Sequence, residues 1–212
     1  MGQEPQELVA HGYDTVAERY AELERDAPWP RAAWLDDLLA RLPDGSPVLD
    51  LGCGNGLPAG ERIARRHRLT GVDVSPRQVE LARANVPAGE FSTGDILKLD
   101  HAPGSFAAVT AFYTFDHIPR ERLAEMFGLV HTWLATDGYL LCCVEIEDLP
   151  GVVADWLGAP MYFSSYEPDV TRRLLTEAGF DIVRDEIQAQ SEGGHEVSYL
   201  WLLARRRHRA AS

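Results

Sequence analysis

The chain has 212 residues, 45% of them hydrophobic and 25% charged, with a formal net charge of −13. That length and apolar content suit one medium globular domain with its own core. The acidic balance argues against nucleic acid as a partner, because neutralising phosphates needs a Lys/Arg footprint.

Cys53, Cys142 and Cys143 show no CxxC and no paired spacing, which fits a reduced, cytoplasmic protein better than a disulfide framework. The acidic, polar N-terminus does not read as a signal peptide, and no apolar run is long enough for a bilayer, so no membrane partner is expected. The one basic cluster, Arg205-Arg206-Arg207-His208-Arg209, reads as a solvated tail after the last strand.

Residues 8–24 carry Tyr13, Val16, Ala17, Tyr20 and Leu23 on one helical face. After a turn at Pro28-Trp29-Pro30, Trp34, Leu35, Leu38, Leu39 and Leu42 predict a second helix, stopped at Pro43-Asp44-Gly45. From residue 47, strands and helices alternate: strand 48–51, helix 57–67, strand 69–74, a helix opened by Pro76, strands 90–93 and 105–112. Helix 120–134 follows, and Asp137-Gly138 is expected to open strand 139–145. Residues 146–166 read as a long irregular connection. A helix from Pro168 to a left-handed stop at Gly179 and two strands, 180–189 and 196–204, flanking Glu192-Gly193-Gly194, complete the chain. This order predicts an α/β fold with a mostly parallel sheet, whose ligands sit at the carboxyl ends of the strands.

The first strand runs as Val48-Leu49-Asp50-Leu51 into Gly52-Cys53-Gly54-Asn55-Gly56. Glycines here permit a tight turn and close approach of a ligand to the backbone. Gly71-Val72-Asp73-Val74-Ser75 closes the second strand, with Asp73 placed 23 residues after Asp50. An acid at that distance is positioned to accept both hydroxyls of a ribose. Gly94-Asp95-Ile96 follows the third strand, and Phe106 to Phe112 forms the fourth.

The glycine spacing is GxGxG rather than the GxGxxG of a dinucleotide site. Residues 48–56 instead resemble motif I of the class I S-adenosylmethionine-dependent methyltransferases, and 106–112 resemble their motif IV. The likeness is strongest over 48–145. It implies a Rossmann-like, mostly parallel seven-stranded sheet with a terminal antiparallel hairpin, helices on both faces and an N-terminal helical lid. One methyltransferase domain over 1–212 is expected, divided into a lid (1–44), a cofactor-binding core (46–145), a substrate-side insertion (146–166) and a C-terminal helix and hairpin (167–204).

The resemblance implies S-adenosylmethionine as cofactor and S-adenosylhomocysteine as product. It assigns Asp50, Gly52, Cys53, Gly54 and Gly56 to the methionine end, Asp73 to the ribose with Val74 and Gln78 beside it, and Asp95 and Ile96 to the adenine. Phe112 would line the cleft. Tyr13-Asp14-Thr15-Val16-Ala17-Glu18-Arg19-Tyr20 matches the lid helix of the branch similar to quinone and sterol methyltransferases, which implicates Tyr13 and Tyr20. Packed aromatics on an amphipathic helix explain these two equally.

The loop after the fourth strand holds His117. The resemblance makes it either a proton acceptor or a substrate contact, with Asp116 or the loop backbone fixing its ring; a packing or capping histidine is the other reading. Trp156, Met161, Phe163 and Tyr166 either line an apolar acceptor pocket or plug the sheet, and His195 either completes that wall or marks a surface turn.

Ligand-spaced His or Cys pairs are absent, so no metal is expected. The expected reaction is methyl transfer to an O, N or C atom of a small, largely apolar molecule. A non-methylating reaction on the same fold, such as cyclisation, and a non-catalytic binding subunit stay open.

Overall fold

The computed structural model describes residues 4–25, 30–192 and 195–208. Pro28 and Trp29 of the expected first turn, the Gly193-Gly194 pair and Arg209 lie outside the described residues. In chain order the elements are α1 (Pro5–Arg25), α2 (Arg31–Leu39), β1 (Pro47–Leu51), α3 (Ala59–Ala64), β2 (Arg68–Asp73), α4 (Pro76–Asn85) and β3 (Glu90–Thr93). There follow β4 (Phe106–Ala111), α5 (Leu123–Trp133), β5 (Leu134–Glu145), β6 (Leu149–Trp156), β7 (Ala159–Ser165), α6 (Pro168–Glu177), β8 (Phe180–Glu192) and β9 (His195–Arg206).

Seven strands form one sheet in the order β3-β2-β1-β4-β5-β9-β8. The first five are parallel, and β9 and β8 close the edge antiparallel. The fold is the expected Rossmann-like one. Strand alternation sends Val48, Ala108, Leu141, Cys143 and Trp201 to one face, against Trp34, Leu38, Ile63 and Val79 of α2 to α4. Leu49, Leu51, Val109, Cys142 and Leu202 face the other way, onto Met126, Phe127 and Val130 of α5 and Leu175 of α6. Each Val, Leu, Ile, Phe or Met among them contributes about 1.5–3 kcal/mol on full burial, and two covered faces are what a parallel sheet needs.

Three expectations are corrected. Residues 146–166 are not irregular: β6 and β7 form a separate two-stranded antiparallel hairpin. Its two-residue turn is Leu157-Gly158, both with left-handed φ (53° and 86°), a geometry matched to strand twist. Strand β5 begins at Leu134 rather than after Asp137-Gly138, because its pairing with β4 shifts register between Phe106 and Ala108, leaving residues 135–138 as a bulge. The basic cluster is no free tail. Arg205 and Arg206 lie within β9, Arg206 donates to the Leu134 carbonyl, and Arg207 binds Asp181 at 2.9 Å.

Candidate functional site

Strand order reverses between β1 and β4, which run parallel, opening the crevice where α/β sheets take ligands. Leu51 leads into Gly52, whose φ is +64°. A side chain there would be strained and would run into Thr114, whose hydroxyl is fixed by the Leu51 and Phe112 carbonyls (both 3.0 Å). The Cys53 N–H donates to the Val72 carbonyl (3.0 Å). Asp73 completes the turn: Oδ2 accepts the Gly54 N–H (2.8 Å) and Oδ1 the Ser75 N–H (2.9 Å). Burial pushes its pKa up to about 6 despite those bonds. Ser75 caps α4 by accepting the Gln78 N–H, as a residue before Pro76 should.

A cavity of about 60 Å³ lies over this loop. Of the expected cofactor residues, Tyr13, Tyr20, Gly52, Gly54, Asp73, Val74, Asp95, Ile96 and Phe112 line it, as does His117. Four others do not. Asp50 lies beneath the loop, where its carboxylate accepts the Thr110 hydroxyl (2.6 Å) and burial lifts its pKa to about 6. Cys53 is buried, with its sulfur close to Gly71. Gly56 packs on α4 beside Val86 and Ala82, and Gln78 is buried behind Gly54. Sequence reasoning missed Gln6, Val9, Tyr113, Thr114 and Ile118 on the lining. Tyr113 and Thr114 follow β4 directly, so the strand-end rule that found Asp73 had pointed at them too.

Helix α1 forms the outer wall. It is tied to α4, where Asp14 accepts from the Ser75 hydroxyl (2.5 Å) and the Arg77 N–H (3.1 Å), and Glu18 pairs with Arg77 (2.9 Å). On its other flank Gly12 sits against Met161 and the Pro160 carbonyl, so closely that an added Cβ would have to push the Met161 side chain aside. With α1 in this position the cavity is well below the ~300 Å³ at the low end of small-molecule sites.

A second cavity, about 240 Å³, adjoins the first, and Tyr13, Tyr20, Tyr113 and His117 line both. Trp156 and Phe163 line the second as expected. Met161 is instead buried beneath Gly12, Tyr166 lies under the Arg120 guanidinium (4.6 Å), and His195 is exposed on β9, paired with Glu192. The unforeseen members include Asp116, Glu145, Glu192 and Tyr199.

His117 is buried between the two cavities, and desolvation lowers its pKa to about 4. Neither Asp116 nor its own loop fixes the ring. The Tyr162 carbonyl on β7 lies 2.8 Å from Nδ1, and the Tyr13 hydroxyl 2.8 Å from Nε2. A carbonyl only accepts, so Nδ1 carries the proton and Nε2 accepts from Tyr13. Asp116 accepts the Glu145 N–H instead (2.9 Å). Among the described residues no group of three His, Cys, Asp or Glu side chains is arranged to hold a metal.

The family description "methyltransferase domain" matches residues 48–138, the span that carries the glycine loop and both strand-end acids. Residues 48–138 carry a methyltransferase domain of the class I S-adenosylmethionine-dependent type. The chain's likeness to the 2-methyl-6-phytyl-1,4-hydroquinone methyltransferase of Synechocystis sp. is 31% identity over 181 residues, 80% of this chain and 51% of that protein. The tRNA (carboxymethyluridine(34)-5-O)-methyltransferase alkbh8 of Xenopus tropicalis is 32% identical over 126 residues, 58% of this chain and 19% of that one. Among solved structures, the Burkholderia thailandensis 1,6-didemethyltoxoflavin-N1-methyltransferase, holding S-adenosylhomocysteine, superposes with a TM-score of 0.73 at 20% identity, covering 98% of this chain and 92% of that one. The chain spans only 51% and 19% of the length of these two curated relatives.

The methyltransferase cofactor, S-adenosylmethionine, suits the residues present. Asp73 and Asp95 are acceptor-only carboxylates at neighbouring strand ends, as a hydroxyl- and amine-bearing nucleoside needs. Val74, Ile96 and Phe112 supply apolar cover beside them. No helix among the described residues is long and apolar enough to cross a membrane.

Proposed function

We propose that the chain methylates an O, N or C atom of a small, largely apolar acceptor held in the second cavity. The observation that carries this reading is the shared wall: His117 and Tyr13 face both the cofactor cleft and the acceptor-sized cavity. When bound, S-adenosylmethionine supplies an electrophilic methyl group. Asp73 would hold the ribose hydroxyls and Asp95 the adenine amine, with Ile96 and Val74 against the ring. The Gly52 and Gly54 backbone would meet the methionine end, with Tyr20 beside it and α1 closing over the whole.

His117 is neutral at neutral pH, since its pKa is pushed down to about 4. Its Nε2 is therefore a hydrogen-bond acceptor that an acceptor O–H or N–H can occupy in place of Tyr13. Holding the nucleophile in line at close range supplies much of the rate in such a transfer. Trp156 and Phe163 provide the apolar wall. The net charge of −13 weighs against nucleic acid, and three buried free thiols fit a reducing, cytoplasmic setting.

The test is incubation with methyl-labelled cofactor and a panel of phenolic, polyketide and amine metabolites. Label on one small molecule is the expected result. Label found only in tRNA, DNA or protein overturns the reading.

A further inference from the structure

The second cavity is apolar over much of its wall, yet Asp116, Glu145 and Glu192 all open onto it. Asp116 is 4% exposed and held by the Glu145 N–H (2.9 Å), and among the described residues no side-chain cation reaches it. Glu192 accepts from Gln190 (2.6 Å) and from the Tyr199 hydroxyl, both neutral donors. No Lys or Arg lines the cavity. The Arg31 guanidinium lies over the Tyr113 ring, 5.4 Å from its centroid, and pairs with Glu24 at 2.6 Å.

Asp116 feels the charges of Glu145 and Glu192, and Glu145 feels that of Glu192. Burial and neighbouring carboxylates push Glu145 up to about 7 and hold Asp116 well above the usual range; burial and Glu24 raise Glu192. Three desolvated acids facing one cavity, with no cation on its wall, are costly as carboxylates; they either take up protons or gain from a positive charge that enters. The aromatic rings of Trp156, Tyr199 and Tyr20 stand round the same space, and ring faces attract cations. The molecule's net charge of −13 draws cations further.

We infer that the acceptor carries a basic nitrogen, bound as an ammonium cation against Asp116, Glu145 and Glu192 while its apolar body rests on Trp156 and Phe163. This rests on the reading of the second cavity as the acceptor site. The cation is an anchor, and the atom that takes the methyl group is the one presented at His117.

Three probes of one shape separate charge from size: tyramine (cationic), tyrosol (neutral) and 4-hydroxyphenylacetate (anionic). Each is titrated calorimetrically at pH 7.5 into the full chain saturated with S-adenosylhomocysteine. Tyramine should bind at least about tenfold tighter than tyrosol, with 4-hydroxyphenylacetate weakest. Glu145→Gln, at a partly exposed strand end, should cut that preference to under about threefold while S-adenosylhomocysteine still binds; Asp116→Asn, which keeps an acceptor for the Glu145 N–H, should do the same. No binding of tyramine, or tyrosol binding as tightly, overturns the inference and leaves the methyltransferase reading in place. Absence of heat from S-adenosylhomocysteine itself sinks both.

Discussion

Replacing Asp73 by Asn isolates the charge at the end of β2. Burial lifts the carboxyl from 3.8 to about 6, so the folded chain binds this proton more tightly than the unfolded chain does. The associated stability is lost as pH rises from 3.8 through about 6. At about 1.36 kcal/mol per pKa unit, the ionised group costs the ligand-free fold roughly 3 kcal/mol above that window. Asn removes this cost but turns an NH₂ toward either the Gly54 or the Ser75 N–H. One buried donor is then unsatisfied, at about 1–3 kcal/mol. The two effects nearly cancel, and the variant should melt within about 5 °C of the parent at pH 8.

Cofactor binding has no such offset. Each carboxylate oxygen retains a lone pair for a ribose hydroxyl, whereas Asn keeps one neutral acceptor at most. Losing charged acceptors at about 1.5–3 kcal/mol each should weaken S-adenosylhomocysteine roughly 100-fold or more by calorimetry. Affinity within threefold of the parent refutes the ribose role. Normal affinity with a melting point more than about 10 °C lower leaves Asp73 as a strut for the loop alone.

Gly52→Ala places a Cβ against Thr114 in a left-handed backbone; left-handed strain and overpacking together should cost about 2–5 kcal/mol in urea unfolding, and an unchanged midpoint would show that the loop relaxes freely. Thr110→Val removes the donor to Asp50 and should destabilise by about 1.5–3 kcal/mol at pH 8, but by less at pH 5, where Asp50, with its pKa near 6, is largely protonated; equal losses at both pH values contradict the assignment. His117→Ala should lower turnover on the true acceptor about tenfold or more with S-adenosylhomocysteine affinity nearly unchanged. In the parent, any inflection of kcat/KM near pH 7 should come from Glu145, with its pKa near 7, surviving His117→Ala and disappearing in Glu145→Gln; the opposite pattern makes His117 the titrating group.

The parallel core was legible because its signals are local. Strand-to-glycine-to-helix order marked Gly52 and Gly54, and the end of each strand marked Asp73 and Asp95, all now on one cavity wall. The hairpin of β6 and β7 was not legible. Leu149-Pro150-Gly151 carries no alternation, the ladder slips between Leu149 and Val152, and Leu157-Gly158 lacks the Asn or Asp that announces such turns. The acidic wall is a product of register: Glu145 ends β5 opposite Tyr199 on β9, and Glu192 arrives from β8. No local pattern encodes partners 54 positions apart. The same holds for the His117 ring, whose anchor is a carbonyl 45 residues away.

Helix α1 places Tyr13 and Tyr20 on the walls of both cavities, so one movement of it would widen both. On the proposed reading, cofactor and acceptor would then share a single gate, opened when Asp14 lets go of Ser75 and Arg77. Spent cofactor and methylated product would leave from one open state, and commitment to transfer would rest on how long the helix stays down, before any bond to carbon is made.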